Sequence, residues 1–455
     1  MTVKSVIMLL VVTAVSISAN AQSWPPDDMA GNGTNSNPWE ITTADELAFL
    51  AEYVNAGNGR NTIGNYYKLM NDLDLSDYTS GNGWFPIGDT VYLGGTRGFH
   101  GYFDGNGKVV RNMSIYERIY CGLFGYTVGA TIENLGMENC IISSENLKVE
   151  RAGGLVAYAD SASVIRNCYI AGEFGGSIFI LGGLVGMLIR NSTINNCYTT
   201  GNLHADKGSV FCVGGLVGNL GSAVVSNCYS TASIYSDNNA GGIAGYSLSD
   251  ATIKNCVAAN DTLIGGQWSV INRILGDEPG NNLHNNYALN TMFLQDYQGN
   301  EVSITDGSEL NGTGIDIEIL QSSDFYTDES YWDESSWDMS VWKICDDEDM
   351  FPVLRWQNIL CADEAGVAET QGVASQWSVC PNPTTGQLKI NASTPFTSNE
   401  ELKINSVEIC DLNGRVLKQI SNPSQEIDVS DLSKGIYFIK IKTKKGETTK
   451  RIVKN

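Results

Sequence analysis

The pentapeptide Gly182-Gly183-Leu184-Val185-Gly186 decides the fold, because copies of it recur through the middle of the chain. Later copies are Gly214-Gly215-Leu216-Val217-Gly218 and Gly241-Gly242-Ile243-Ala244-Gly245, and an earlier copy is Gly153-Gly154-Leu155-Val156-Ala157. Successive copies begin 29, 32 and 27 residues apart, and Cys121-Gly122-Leu123-Phe124-Gly125 is a degraded forerunner. Self-similarity at such a period is the sequence signature of a solenoid or a related repeat architecture.

A second block keeps step with the first. Ile194-Asn195-Asn196-Cys197-Tyr198 follows one glycine-rich copy, and equivalent blocks lie at 165–169, 225–229, 253–257 and 283–287. Shorter forerunners lie at 110–113 and 132–135. Because two blocks stay in step through consecutive periods, each repeat is one structural unit.

The repeats predict a mainly β fold in which each repeat forms one coil. Short parallel strands then stack about 4.8 Å apart, and equivalent residues of successive coils lie above one another. Strand alternation places the Leu of the first block and the Ile of the second inside. The glycines are expected to turn the chain at positive φ, where a Cβ would clash. The sequence therefore predicts an inward stack of thiols and a stack of amides at a bend, formed by Cys168, Cys197, Cys228 and Cys256 and by Asn167, Asn196, Asn227, Asn255 and Asn285.

A metal-binding row is the functional alternative for these Cys and Asn columns. Soft thiolates and amides make a poor common ligand set, and the CxxC or CxH spacing of zinc sites is absent. The chain has only His100, His204 and His284, and no His recurs beside the Cys, so a catalytic thiol lacks its base. We therefore interpret both columns as structural, and predict no catalytic residue, no metal site and no cofactor.

The Gly-Gly-Leu-Val-Gly repeats resemble the GLUG motif of secreted bacterial surface proteins, which include IgA-peptidase relatives and large adhesins. The lead-in segments at 39–47, 69–75, 85–88 and 99–107 fit the same architecture, so the resemblance covers about residues 38–290. It implies a right-handed parallel β-helix, with the GLUG repeats at 121–290. The peptidase relatives carry a zinc motif of the HExxH type, which this chain lacks, so protease activity does not carry over.

The N-terminal region reads as an export signal followed by a cap. Lys4, an apolar run over 6–15 and small residues up to Ala21 predict a signal peptide at 1–21. Residues 22–120 are predicted to form the cap and first coils. There Thr43 and Glu46 form a capping box for a short amphipathic helix that covers the open end of a coil. The string 104–107, Asp-Gly-Asn-Gly, is interpreted as a turn, with a calcium loop as the alternative.

Residues 291–360 lose the repeat and become acidic and rich in tryptophan. The tryptophans are expected to plug the solenoid end, with a sugar-binding platform as the alternative; they are Trp332, Trp337, Trp342 and Trp356. The run Asp346-Asp347-Glu348-Asp349 is interpreted as a solvated loop, with a Ca²⁺ site as the alternative. Cys345 and Cys361 flank this run and are expected to form a disulfide in an oxidising compartment.

A linker is predicted at 361–375, and the charge balance reverses beyond it. Residues 376–455 hold 12 Lys and Arg against 8 Asp and Glu, a net charge of +4 within a chain whose net charge is −23. The motifs at 381–386, 409–415 and 431–437 and the basic tail resemble the type IX secretion C-terminal sorting domain of Bacteroidota. The resemblance implies an Ig-like β-sandwich, passage across the outer membrane, cleavage of the domain and frequent attachment of the cargo to the surface. Cys380 stands where the family has an aromatic residue, which admits a Cys380–Cys410 bridge.

Charge and composition restrict the function. The chain lacks the basic footprint of a nucleic-acid binder, and no apolar run reaches the length of a transmembrane span. We expect a monomeric, secreted or cell-surface-attached solenoid that is not an enzyme. It is adhesin-like, binds a host or polysaccharide partner and meets the type IX secretion machinery through residues 376–455. The alternatives are a polysaccharide-degrading lyase or glycosidase and a passive structural stalk.

Overall fold

The computed structural model describes residues 24–361, with short gaps at 27, 90–95, 206–209, 249, 267–269, 278–281, 297, 333–335, 346–349 and 360. It also describes 377–380, 386–392, 404–410, 416–421, 423, 426–432, 435–443 and 446–454. The signal peptide predicted at 1–21 and the acidic run at 346–349 lie outside these residues, as does nearly all of the predicted linker at 361–375. The chain divides into two compact units, one formed by residues up to 343 together with 352–357, the other by 344–351 and 358–455.

The first unit is a parallel β-solenoid of about nine turns, which confirms the predicted fold class. Its large sheet contains Trp39–Ile41, Tyr66–Leu69, Leu73–Asp74, Tyr102–Arg111, Ser114–Tyr116, Tyr120–Cys121, Thr131–Gly153, Val164–Arg166, Tyr169–Gly182, Thr193–Asn195, Tyr198–Ala205, Cys212–Gly214, Val224–Ser226, Tyr229–Ser230, Ser233–Ser236, Asn239–Gly241, Thr252–Lys254, Val257–Ala258, Thr262–Gly265, Ile271–Asn272, Asn282–His284, Tyr287–Leu289, Phe293–Gln295 and Thr313–Ile315. A second sheet contains Phe124–Val128, Val156–Asp160, Val185–Ile189, Val217–Gly221 and Ala244–Ser247.

The repeats lie in vertical register. Ile165 pairs with Ile194, which pairs with Val225, in parallel strands whose inward side chains are buried. Leu184 and Leu216 of the glycine-rich block are fully buried as well. The prediction that residues about thirty positions apart stack along a common core is therefore confirmed.

The asparagines, and not the repeat glycines, adopt the left-handed backbone conformation. The positive φ values fall on the asparagines of the second block, such as Asn167 at 55° and Asn196 at 52°. Glycines of the first block instead allow close approach between coils, since a Cβ on Gly183 would lie 2.2 Å from the carbonyl oxygen of Gly215. The expected positive φ at these repeat glycines is therefore wrong, because the corner is made by Asn, whose short polar side chain tolerates the left-handed region.

A short helix covers the N-terminal coil as predicted. The α-helix Ala44–Tyr53 begins with the Thr43–Glu46 capping box and buries Leu47 and Leu50. It continues through a π-helical turn, Val54–Asn58, and a 3₁₀ turn, Gly59–Thr62. Among the described residues, no helix combines the length and apolar character that crossing a membrane requires.

The end of the first unit returns along the side of the solenoid. After the helices Ile317–Leu320 and Ser323–Thr327, an antiparallel pair joins Trp342–Lys343 to Val353–Leu354, and the 3₁₀ turn Arg355–Gln357 follows. We call residues 317–343 and 352–357 the strap.

The second unit contains two antiparallel sheets. One holds Trp377–Cys380, Gln387–Ala392 and Glu426–Asp428; the other holds Ile404–Cys410, Val416–Ser421, Gly435–Thr443 and Gly446–Lys454. Apolar residues of both sheets, among them Ile390 and Val407, share one buried cluster. The Ig-like assignment of this unit stays a prediction. Cys345 and Cys361 form the expected disulfide.

Candidate functional site

The predicted thiol column is a buried ladder. Cys168, Cys197, Cys228 and Cys256 are fully buried and free. The backbone N–H of Cys168 lies 3.4 Å from the sulfur of Cys197, and that of Cys197 lies 3.3 Å from the sulfur of Cys228. Each thiol in turn donates to the carbonyl two residues before it, as Cys228 does to Ser226 at 3.0 Å.

Burial also fixes the protonation of these thiols. It raises the pKa of Cys168, Cys197 and Cys228 well above the ordinary value, so they stay neutral. Metal ligation and nucleophilic attack need the thiolate. In the described part of the chain, no group of three His, Cys, Asp or Glu side chains converges as a metal site. The ladder therefore serves the core.

The predicted asparagine column lies at the corner that follows each strand of the second block. Asn167 donates from Nδ2 to Oδ1 of Asn134 at 3.1 Å, and Asn196 donates to Oδ1 of Asn167 at 3.4 Å. These hydrogen bonds between side-chain amides join successive coils at the residues that have positive φ. The column thus links neighbouring coils from Asn134 to Asn196 while it turns the chain, whereas the buried Oδ1 of Asn227, further along the column, has no hydrogen-bond partner among the described residues.

The tryptophans of the strap lie along the side of the solenoid. Trp337 donates from Nε1 to the carbonyl of Asn255, Trp342 donates to Oδ1 of Asn196 at 3.2 Å, and Trp356 donates to the carbonyl of Asn167. Trp332 packs on Tyr287 of a later coil.

The predicted end plug is therefore wrong, because the strap runs back along the side of the solenoid and bonds to the corner residues Asn255, Asn196 and Asn167. The platform alternative fails for Trp332, Trp337 and Trp342, which are buried and offer no free ring face.

An open groove lies on the strand face near the N-terminal end of the solenoid. It has a volume of about 630 Å³ and crosses the strands of five coils. Two outward columns form its floor, set by the parallel register of Trp39–Ile41, Tyr66–Leu69, Tyr102–Arg111, Thr131–Gly153 and Val164–Arg166.

The first column of the groove is aromatic at one end. Tyr66 and Tyr102 stack with ring centroids 4.3 Å apart and an interplanar angle of 6°, and Tyr102 is 42% exposed. Thr131 and Val164 continue the column on the next two coils.

The second column of the groove carries charges of both signs, in the order Glu40, Lys68, Asp104, Glu133 and Arg166. The Nζ of Lys68 lies 3.8 Å from a carboxylate oxygen of Asp104, and Arg166 pairs with Glu133. Asp104 also accepts from Nδ2 of Asn134 at 3.0 Å. Hydrogen-bond donors and acceptors thus lie side by side along an open face, an arrangement suited to a ligand rich in hydroxyl groups.

Sequence reasoning missed this groove. Its tyrosines are 36 residues apart, because residues 70–101 intervene, so they do not fall at the repeat period. The available signal was local alternation, since Tyr66 precedes the buried Tyr67 and Tyr102 precedes the buried Phe103.

The remaining residues that the sequence offered as possible ligands or disulfide partners do not form a common site in the described part of the chain. The string at 104–107 forms a corner, with Asn106 at φ 52° and Asp104 accepting from the backbone N–H of Asn106 at 2.8 Å. His100, His204 and His284 lie on separate coils. Cys410 is a buried free thiol, whereas the side chain of Cys380 lies outside the described residues.

The stacked coils define the first unit as a β-solenoid, and two segments of the chain match family models. Residues 209–235 match the family model of the GLUG motif, and residues 378–455 match that of the secretion system C-terminal sorting domain. Both predicted resemblances are confirmed. The sorting domain marks the chain for secretion to the cell surface or the extracellular space and for interaction with the secretion machinery.

Two curated relatives share part of the sequence. A Gly-rich membrane protein of Evansella cellulosilytica is 33% identical over 130 residues, 28% of this chain and 13% of that protein. Halomucin of Haloquadratum walsbyi is 32% identical over 155 residues, 32% of this chain and 2% of that protein. The chain thus spans only a small share of the length of these relatives.

Proposed function

We propose that this chain is a secreted, non-catalytic binding protein whose solenoid offers the groove to an extracellular glycan. The observation that carries the proposal is the groove itself, an open site of about 630 Å³ with stacked tyrosines and charged side chains of both signs. Its volume lies within the range of about 300–1,000 Å³ of ligand sites.

The mode of export supports this function. A sorting domain delivers the chain to the cell exterior, where glycans of the cell envelope, of a host or of the surroundings are abundant. A rigid stack of coils holds the two columns of the groove floor on strands, so this part of the site is preformed and little entropy is lost on binding.

Binding of purified full-length chain to panels of glycans and host-matrix proteins tests the proposal. Tyr102→Ala is expected to weaken capture of the bound glycan. Thr193→Ala, which changes the same column outside the groove, serves as the matched control. Capture that is equal for both variants, or absent from every glycan at high protein concentration, would refute a glycan function for the groove.

Cleavage of the glycan is the second candidate, because Asp104 and Glu133 are carboxylates on neighbouring coils of the groove. Each is already engaged by a cation, Asp104 by Lys68 and Glu133 by Arg166. We expect no release of reducing ends from bound glycans. Release that is abolished by Asp104→Asn would replace the binding role with an enzymatic one.

A further inference from the structure

We infer that the groove takes an uncharged, linear polysaccharide laid along the solenoid axis. This inference rests on the proposed function and specifies its ligand. It follows from the direction of the groove, from how its charges are paired and from its tyrosine pair.

The direction of the groove selects an extended chain. Its polar column places one side chain on each of five coils, from Glu40 to Arg166. Four inter-strand spacings of about 4.8 Å give a length of about 19 Å across the strands. A ligand that reaches all five side chains must repeat its polar groups about once per coil, as the successive rings of a linear polysaccharide do.

The pairing of the charges selects against anionic sugars. Both cations of the column are engaged by a carboxylate of a neighbouring coil, Lys68 by Asp104 and Arg166 by Glu133. Glu40 adds a third carboxylate at the N-terminal end. A uronate, sulfate or phosphate at Lys68 or Arg166 would lie beside the carboxylate that already pairs with that cation, and would face its repulsion.

Hydroxyl groups meet no such penalty. A carboxylate that already accepts from a cation keeps free lone pairs for a sugar hydroxyl, and an ammonium or guanidinium keeps free N–H donors. Hydrogen bonds to charged partners are stronger than those between neutral groups. The paired column therefore binds hydroxyls without needing a charge on the ligand.

The tyrosine pair adds apolar surface at one end of the column. Stacking of Tyr66 on Tyr102 holds both rings in one orientation, so binding orders no flexible side chain there. The exposed Tyr102 ring offers carbon surface and a hydroxyl to a pyranose.

The test measures binding of neutral and uronate hexasaccharides to full-length chain by calorimetry. Glucan and mannan hexasaccharides represent the neutral class, and hexagalacturonate represents the anionic class. We expect a neutral hexasaccharide to bind, with a Kd that changes less than about twofold between roughly 50 and 500 mM salt. Tyr102→Ala should weaken it about fivefold to tenfold, and Thr193→Ala should leave it unchanged.

Glu133→Gln tests the role of charge pairing directly. The amide keeps hydrogen-bonding capacity but frees Arg166, so the variant is expected to gain measurable hexagalacturonate binding that falls with salt. Failure to gain it would overturn the pairing argument. Preference of the unmodified chain for hexagalacturonate would overturn the inference and leave the proposed function standing, whereas binding of no glycan would overturn both.

Discussion

Trp342 offers the sharpest test of how the strap holds the solenoid. Its side chain is fully buried, its ring centroid lies 5.9 Å from that of Tyr229 and 4.9 Å from that of Trp337, and its Nε1 donates to Asn196. Truncation to Ala removes these contacts and leaves a cavity. Buried Trp-to-Ala changes cost about 3–5 kcal/mol.

The matched variant Trp342→Phe separates packing from hydrogen bonding. Phe keeps most of the ring burial but leaves Oδ1 of Asn196 without its indole donor. We therefore expect a loss of about 1–2 kcal/mol for Phe, against about 3–5 kcal/mol for Ala. Ile319→Ala, a change at an exposed strap residue, should cost less than about 0.5 kcal/mol.

Native-state hydrogen exchange is the suitable assay, because repeat proteins open locally. The amide of Arg355, bonded to the carbonyl of Val341 at 2.8 Å, reports opening of the strap. The amide of Leu184, bonded to Leu216 at 2.9 Å, reports the solenoid. Trp342→Ala should lower the opening free energy at Arg355 by the stated amount. An unchanged exchange rate there would refute the view that this tryptophan anchors the strap.

Three further predictions concern the asparagine column and the buried thiols. Asn196→Ala should destabilise the solenoid by about 1–3 kcal/mol in urea unfolding, through strain at φ 52° and the lost hydrogen bonds to Asn167 and Trp342, whereas Asn196→Gly should lose only the hydrogen bonds; equal losses would contradict the strain argument. At pH 8 the ladder thiols of the native protein should resist iodoacetamide and react once it is unfolded, as mass spectrometry can show, and native-state labelling would contradict their burial. Burial raises the pKa of Cys121 and Cys140 to about 12, above about 8.5 in the unfolded chain. The folded state then holds these protons more tightly, so its stability is complete below about pH 8.5 and declines as the pH rises towards 12. The urea midpoint should fall between pH 7 and pH 10, and less so in Cys121→Ala; an equal fall in both proteins would assign the decline to other groups.

Features that recur in every coil were predictable from the sequence alone. The positions of Leu184 and Leu216 inside, and of Asn167 and Asn196 at a corner, follow from alternation and local backbone preference. Repetition strengthens this sequence pattern, since each coil packs against its neighbours through the same kinds of contact and therefore needs the same residue types at equivalent positions. The sorting domain was equally readable, because its motifs are contiguous in the chain.

The sequence predicted the role of the repeat glycines only in part. Their small size was evident, but either a turn or a close approach explains it. Only the stacked coils show that Gly183 faces the backbone of Gly215, and that the corner belongs to the asparagine.

The sequence by itself determined the repeat and its register, because both are encoded in short segments that recur from copy to copy. It also determined the export of the chain, because the motifs of the sorting domain are contiguous. Tertiary structure alone decided the course of the strap and the position of the groove. Trp342 and Asn196 are 146 residues apart, and Trp356 and Asn167 are 189 apart. Contacts between such distant segments leave no period in the sequence, since their geometry is set only when the coils have stacked.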